Sequence, residues 1–138
     1  MRRDVRVLHR QYIRILLIEE EDLVRASLVA LVTSWKGFHV IAEAATKVEA
    51  VEQFRRVNPD VVLLSLAGTE DATLVPEISR ACGRTRLLVL LSHCPEDLRI
   101  VITGLAKRVV GKTEHPEELK KAILDIYGKR RPRRAAPH

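Results

Sequence analysis

The groups able to do chemistry in this chain fall at the ends of short apolar runs. Glu19, Glu20 and Glu21 directly follow Ile13–Ile18. Ser65 closes the run that begins at Val61, Ser92 and His93 follow Leu87–Leu91, and Lys112 comes two residues after Val109-Val110. Adjacent carboxylates repel one another unless a cation neutralises them, so they suit a metal ion or a lysine. A serine hydroxyl is a weak nucleophile without a base beside it. No histidine is placed to serve Ser65, so no catalytic residue is expected and the chain reads as a non-enzyme. His93-Cys94 has no partner at metal-ligand spacing, which argues against zinc.

These positions depend on alternating strands and helices. The run 13–18 is apolar and β-branched, as in a strand buried on both faces. Asp22 is expected to cap a helix with Val24, Leu28, Leu31 and Trp35 inward, ended by Lys36-Gly37. A second strand covers 39–42. Thr46-Lys47-Val48-Glu49 is a capping box ahead of Ala50, Val51, Phe54 and Val57, and Asn58-Pro59 stops that helix. The third strand, 61–64, ends near Ser65, with a loop over 66–69. Its helix starts near Val75 with Pro76 in the first turn, and Glu70 and Asp71 read as its acidic entry. The fourth strand is Leu87–Leu91. Pro95 opens a helix with Leu98, Val101, Ile102 and Leu105 inward. After a fifth strand at Val109-Val110, Pro116 opens the last helix, with Leu119, Ile123 and Ile126 inward and Gly128 as its stop. Five strand–helix units with short loops predict a three-layer open α/β sandwich around a five-stranded parallel sheet. Such sheets place function beyond the carboxyl ends of their strands, where the residues above collect.

The chain has 138 residues, 46% hydrophobic and 30% charged, which fits one domain and excludes wholesale disorder. No apolar run approaches the ~20 residues of a membrane span, and residues 1–12 lack the continuous apolar stretch of a signal peptide. Cys82 and Cys94 fit free thiols in a reducing cytoplasm. The net charge of +6 sits at the ends: residues 1–12 contribute +3, residues 129–138 contribute +5, and residues 13–128 contribute −2. Three parts follow: a basic N-terminal extension (1–12), a folded domain (13–128) and a basic tail or linker stub (129–138). The basic ends either are solvated termini or bind nucleic acid without sequence preference.

The pattern resembles the receiver domain of bacterial two-component response regulators. The resemblance covers about residues 13–128 and rests on Ile15-Leu16-Leu17-Ile18-Glu19-Glu20, Asn58-Pro59-Asp60-Val61-Val62-Leu63-Leu64-Ser65-Leu66, Leu87-Leu88-Val89-Leu90 and Gly111-Lys112 with His115-Pro116-Glu117-Glu118-Leu119. It is nearest to the regulators that carry a helix-turn-helix output domain, although this sequence ends about ten residues past the last helix. The resemblance implies a flavodoxin-like sheet in the order 2-1-3-4-5. It also implies an acid pair for Mg²⁺, a phosphoacceptor aspartate, a Thr or Ser, a switch aromatic and a lysine. Glu19 and Glu20 fall on the acid pair, one methylene longer than the aspartates an octahedral Mg²⁺ favours. Ser65 falls on the phosphoacceptor, Leu91 on the Thr/Ser position with Ser92 next to it, Val109 on the aromatic, and Lys112 matches. The implied reading is an atypical receiver that is not phosphorylated on aspartate and holds no cofactor, Mg²⁺ at most weakly. Lys112 is expected to pair with Glu19 or Glu20. Partner contact or homodimerisation is expected through the fourth helix, fifth strand and fifth helix, with Arg99, Lys107, Arg108, Lys120, Lys121 and Asp125 on that face. A weakly active phosphorelay receiver is the rival.

Overall fold

The computed structural model describes residues 12–67, 72–93, 95–112 and 115–130. Strands β1 (Ile13–Ile18), β2 (Phe38–Ala44), β3 (Val61–Leu66), β4 (Leu87–Leu91) and β5 (Arg108–Gly111) alternate with helices α1 (Asp22–Thr33), α2 (Lys47–Val57), α3 (Leu74–Cys82), α4 (Glu96–Leu105) and α5 (Pro116–Arg130). All the strands pair in parallel, in the order β2-β1-β3-β4-β5. This is the expected flavodoxin-like α/β receiver fold.

The strands are apolar because both faces are covered. Every residue of β3 and β4 is buried. Alternate residues feed two cores. Leu16, Leu64 and Val89 pack with Ala50, Ile78 and Ile102 on the side of α2, α3 and α4. Leu17, Leu63 and Leu88 pack with Val32, Leu119 and Ile123 on the side of α1 and α5.

Several element ends differ from the sequence reading, each for a local reason. Leu66 belongs to β3, since it pairs with Leu91 instead of opening a loop. Glu21 holds the N-cap position of α1, and the Asp22 carboxylate accepts from Arg25 at 2.7 Å instead of capping the helix. Helix α1 ends at Thr33, before Lys36-Gly37, and Gly37 carries a positive φ of 87°. Val32 is its fully buried residue, while Val24, Leu28, Leu31 and Trp35 are half-buried. Val101 of α4 is 58% exposed, not inward. Helix α5 runs through Gly128 to Arg130. The capping box at α2 forms: the Thr46 hydroxyl accepts from the Glu49 N–H at 3.1 Å, and Glu49 accepts from the Ala45 N–H at 2.7 Å. The last helix takes in the first two residues of the expected tail, 129 and 130, while residues 1–11 and 131–138, Glu70, Asp71 and Cys94 lie outside the described residues.

The foot of the sheet is tied by two arginines. The Arg14 guanidinium donates to the carbonyls of Val57 and Asn58 at 2.7 and 2.8 Å. The Arg14 N–H donates to the Asp60 carboxylate at 3.0 Å, and the Asp60 N–H donates to the Arg14 carbonyl at 2.8 Å. From β4's entry, Arg86 donates to the Asn58 side chain at 2.7 Å and the Pro59 carbonyl at 3.0 Å, and lies 5.0 Å over the Phe54 ring. Asn58 takes the left-handed conformation, φ 46°, that this turn requires.

Candidate functional site

Alternation along the strands places Glu19, Ser65 and Lys112 on the same side of the sheet as Leu17, Leu63 and Val110. The three meet at the carboxyl edge. The Ser65 hydroxyl donates to Glu19 Oε1 at 2.5 Å. Lys112 Nζ stands 3.7 Å from the same oxygen. Glu19 Oε2 accepts from the Glu21 N–H at 2.9 Å. Glu19 is 3% and Ser65 4% exposed. A buried carboxylate needs such donors, because burial without them is costly. The Lys112 N–H donates to the Leu91 carbonyl at 2.5 Å, which holds the lysine against the end of β4.

The rest of the strand-end set disperses. Glu20 and Glu21 are exposed, so of the two partners open to Lys112 it takes Glu19. Leu91 is buried with Leu66 and Ile102 in the core beneath α3 and α4, and Val109 packs against that core. Ser92 is half-buried and donates its N–H to the Leu66 carbonyl at 3.3 Å. His93 is exposed. Among the described residues, no three His, Cys, Asp or Glu side chains converge as a metal site would require.

Arg25 was not foreseen as part of the site. Its guanidinium donates to the Glu19 carbonyl at 2.8 Å, to Asp22 at 2.7 Å and to Glu43 at 3.2 Å. The hydrogen bond it donates to Asp22, more than the one to Glu43, raises the guanidinium pKa above its ordinary value. The spacing of three between Asp22 and Arg25 is a legible helical pair, but contact with a β1 carbonyl is a tertiary fact. An open cleft of about 320 Å³ lies over the edge, walled by Glu19, Glu20, Ser65, Thr46, Lys47 and Thr73. Lys47 reaches from α2 to Glu77 of α3 at 3.0 Å beside it. Cys82 is a buried free thiol away from this edge, and burial pushes it up to about 11.

Similarity to known proteins follows the same strands. No family model matches the chain. The chain is 29% identical over 122 residues to the response regulator UvrY of Escherichia coli K12, covering 86% of this chain and 56% of that protein. It is 31% identical over 114 residues to the transcriptional regulatory protein LiaR of Bacillus subtilis, covering 80% and 54%. The chain thus spans about half the length of the curated relatives it matches. Among solved structures, a two-component response regulator of the LuxR family from Aurantimonas sp. SI85-9A1 superposes with a TM-score of 0.74 at 28% identity, covering 85% of this chain and 86% of that one. The receiver domain of a NarL regulator from Mycobacterium tuberculosis shares the fold, with a TM-score of 0.69 at 21% identity, over 84% of this chain and 96% of that one. With the sheet order and the strand-end residues above, these similarities place the chain in the response-regulator receiver domain family.

Proposed function

We propose that this receiver domain, residues 13–128, acts in signal transduction by protein contact and takes no phosphoryl group on aspartate. The observation that carries the reading is the hydrogen bond of Ser65 to the buried Glu19 carboxylate. Ser65 stands where the family has its acceptor aspartate, and it brings no carboxylate to attack phosphorus or ligate a metal. Nor do the residues present fit a divalent cation. Both Glu19 oxygens already face donors, and one of them faces the Lys112 ammonium. A small octahedral cation also needs more oxygen ligands than this corner offers. Lys112 is the resident counter-charge. The Thr/Ser and aromatic positions of the family's switch are Leu91 and Val109, both committed to core packing.

The output is then a docking event. Helix α4 exposes Ile100 and Val101, 65% and 58%, beside β5 and α5. Arg108 of β5 and Asp125 of α5 pair at 3.1 Å on the same face. That apolar centre with charged surroundings fits a protein partner. A cytoplasmic role in transcriptional regulation is the natural setting, given the regulators it resembles. No described helix is long and apolar enough to cross a membrane.

Intact mass after incubation with acetyl phosphate and Mg²⁺ tests the reading, with Ser65→Asp beside the natural chain. The natural chain is expected to gain no phosphoryl group. A phosphoryl adduct on it would overturn the proposal and favour a working relay. The concentrated positive charge of residues 129–138 supports a second reading, non-specific nucleic-acid binding. That reading requires affinity that falls steeply with salt and disappears when 129–138 are deleted.

A further inference from the structure

The strands are parallel and each helix returns against them, so helices α1 to α5 start at the carboxyl edge and end at the foot of the sheet. Acids gather at the starts: Asp22, Glu49, Glu77, Glu96 and Glu117 each stand in a first turn. Arginines gather at the ends. Arg55 and Arg56 lie in the last turn of α2 and Arg80 in that of α3, and Arg84 and Arg86 follow in the 3₁₀ turn that leads into β4. Part of this pattern answers the helix dipoles. Its consequence is a molecule that is acidic at one pole and basic at the other. The two chain ends join the basic pole, since residues 1–11 lead into β1 and residues 131–138 follow α5 there, and both segments are basic.

The arginines at the foot form a row. Helices α2, α3 and α4 lie on one side of the sheet. Arg86 donates to the Asn58 side chain just past α2 at 2.7 Å, and Arg84 Nε donates to the Gly104 carbonyl near the end of α4 at 3.1 Å. Arg55, Arg56, Arg80 and Arg84 are exposed. The Gly104 carbonyl orients Arg84, and Gln53, a neutral acceptor, orients Arg56 at 2.6 and 3.0 Å. Among the described residues, Arg55 and Arg80 have no side-chain partner, and none of these five arginines pairs with a carboxylate. Asp60, an acid at the same end, is buried and accepts from the Arg14 N–H. The aromatic rings near the foot are already engaged: Tyr12 on His39, Trp35 on Phe38, and Phe54 under Arg86.

We propose that the foot of the sheet binds the phosphate backbone of duplex DNA, without sequence preference, through Arg55, Arg56, Arg80 and Arg84. Guanidinium forks match phosphate oxygens two at a time. Neighbouring helix axes stand about 8–10 Å apart, so three helix ends span about 20 Å. That is the length of about six phosphates along one strand of a duplex. Single strands are held by stacking their bases on open rings, and the rings here are engaged, so the backbone of a duplex is the better match. The acidic carboxyl edge repels the same polyanion, which directs its approach to the foot. This site does not rest on the phosphorylation reading. It shares a ligand with the tail reading but assigns the contact to the folded domain, and the test separates the two.

Fluorescence anisotropy of a short labelled duplex, titrated with the full chain at several salt concentrations, tests it. The natural chain is expected to bind, with affinity falling steeply as salt rises. The double variant Arg55→Gln/Arg80→Gln removes two charges whose side chains have no partner, and glutamine is a good helix former, so the fold is kept. It should lower the low-salt affinity by at least about tenfold and the logarithmic salt slope by about two. Lys47→Gln, at the opposite pole, should change affinity by less than about twofold. Deleting residues 131–138 should leave binding that Arg55→Gln/Arg80→Gln still weakens. A natural chain with no affinity at low salt overturns the proposal. So does a double variant that binds like the natural chain while the deletion abolishes binding, which would leave the tail alone as the contact. A loss per charge as large for Lys47→Gln as for the double variant would reduce the effect to net charge and overturn the assigned site. Displacement of the duplex by poly-glutamate at equal charge would overturn it in favour of an acidic protein partner.

Discussion

Replacing Lys112 with methionine isolates the contribution of the resident cation at the carboxyl edge. The Lys112–Glu19 separation of 3.7 Å gives about 4.5 kcal/mol of attraction at an effective dielectric of ~20. Two features reduce this. The lysine side chain is 22% exposed, so water shares its charge, and 3.7 Å is long for a direct hydrogen bond. Glu19 is nevertheless buried, so the loss is larger than for a surface pair, whose usual worth is below about 1 kcal/mol. The expected coupling is about 2 kcal/mol, within ~1–3. For a domain of this size that corresponds to roughly 6–10 °C in melting temperature. The assay is a double-mutant cycle in urea with Lys112→Met, Glu19→Gln and the combination. Glutamine keeps an oxygen for the Ser65 hydroxyl, so the cycle reads the charge pair. A coupling below about 0.3 kcal/mol, within ordinary additivity error, would show that Lys112 is solvated and neutralises nothing.

Three further outcomes follow from contacts elsewhere. Arg25→Ala should cost about 1–2 kcal/mol, since it strips a charged donor from the Glu19 carbonyl and leaves Asp22 and Glu43 without their shared partner; a midpoint in urea within error of the natural chain would contradict this. At residue 58, valine should destabilise by at least about 1 kcal/mol more than glycine, because only glycine accepts the positive φ without strain. Thermal melts of Asn58→Gly and Asn58→Val compare the two, and equal values would refute the turn argument. The Cys82 thiol, pushed up to about 11 by burial, stays protonated at pH 8. Iodoacetamide should therefore label it slowly in the folded chain and quickly in guanidinium, as followed by peptide mass. Equal rates would place the thiol at the surface.

The sheet was legible in the sequence because its strands are buried on both faces and so read as unbroken apolar runs. The run Leu87–Leu91 gave its strand without error, and the edge strand β2, exposed at Glu43, was read three residues short. Helix α1 was harder. With apolar residues almost all round, its periodicity does not single out Val32 as the buried position. Gly128 failed as a stop because helical propensity alone does not end a helix whose neighbours, Ile126 and Tyr127, are buried. At the site, the strand ends were enough to bring Glu19 and Lys112 together. Glu19 prevailed over Glu20 because side chains alternate about the strand, which turns Glu19 to the Ser65 side and leaves Glu20 in solvent. The Ser65–Glu19 hydrogen bond and the reach of Arg25 depend on side-chain placement across elements, which no local pattern encodes.

The arginine ties at the foot of the sheet bear on how such a domain can change. Arg14 and Arg86 fix the turn before β3 against β1 and β4 at the end of the strands remote from Ser65. Strand alignment is therefore secured without help from the residues at the other end. An acid, a hydroxyl or a lysine exchanged at the carboxyl edge leaves these ties among β1, β3 and β4 in place. The fold can lose or regain a chemistry one side chain at a time, with intermediates that still fold, because anchoring and chemistry occupy opposite ends of the same strands.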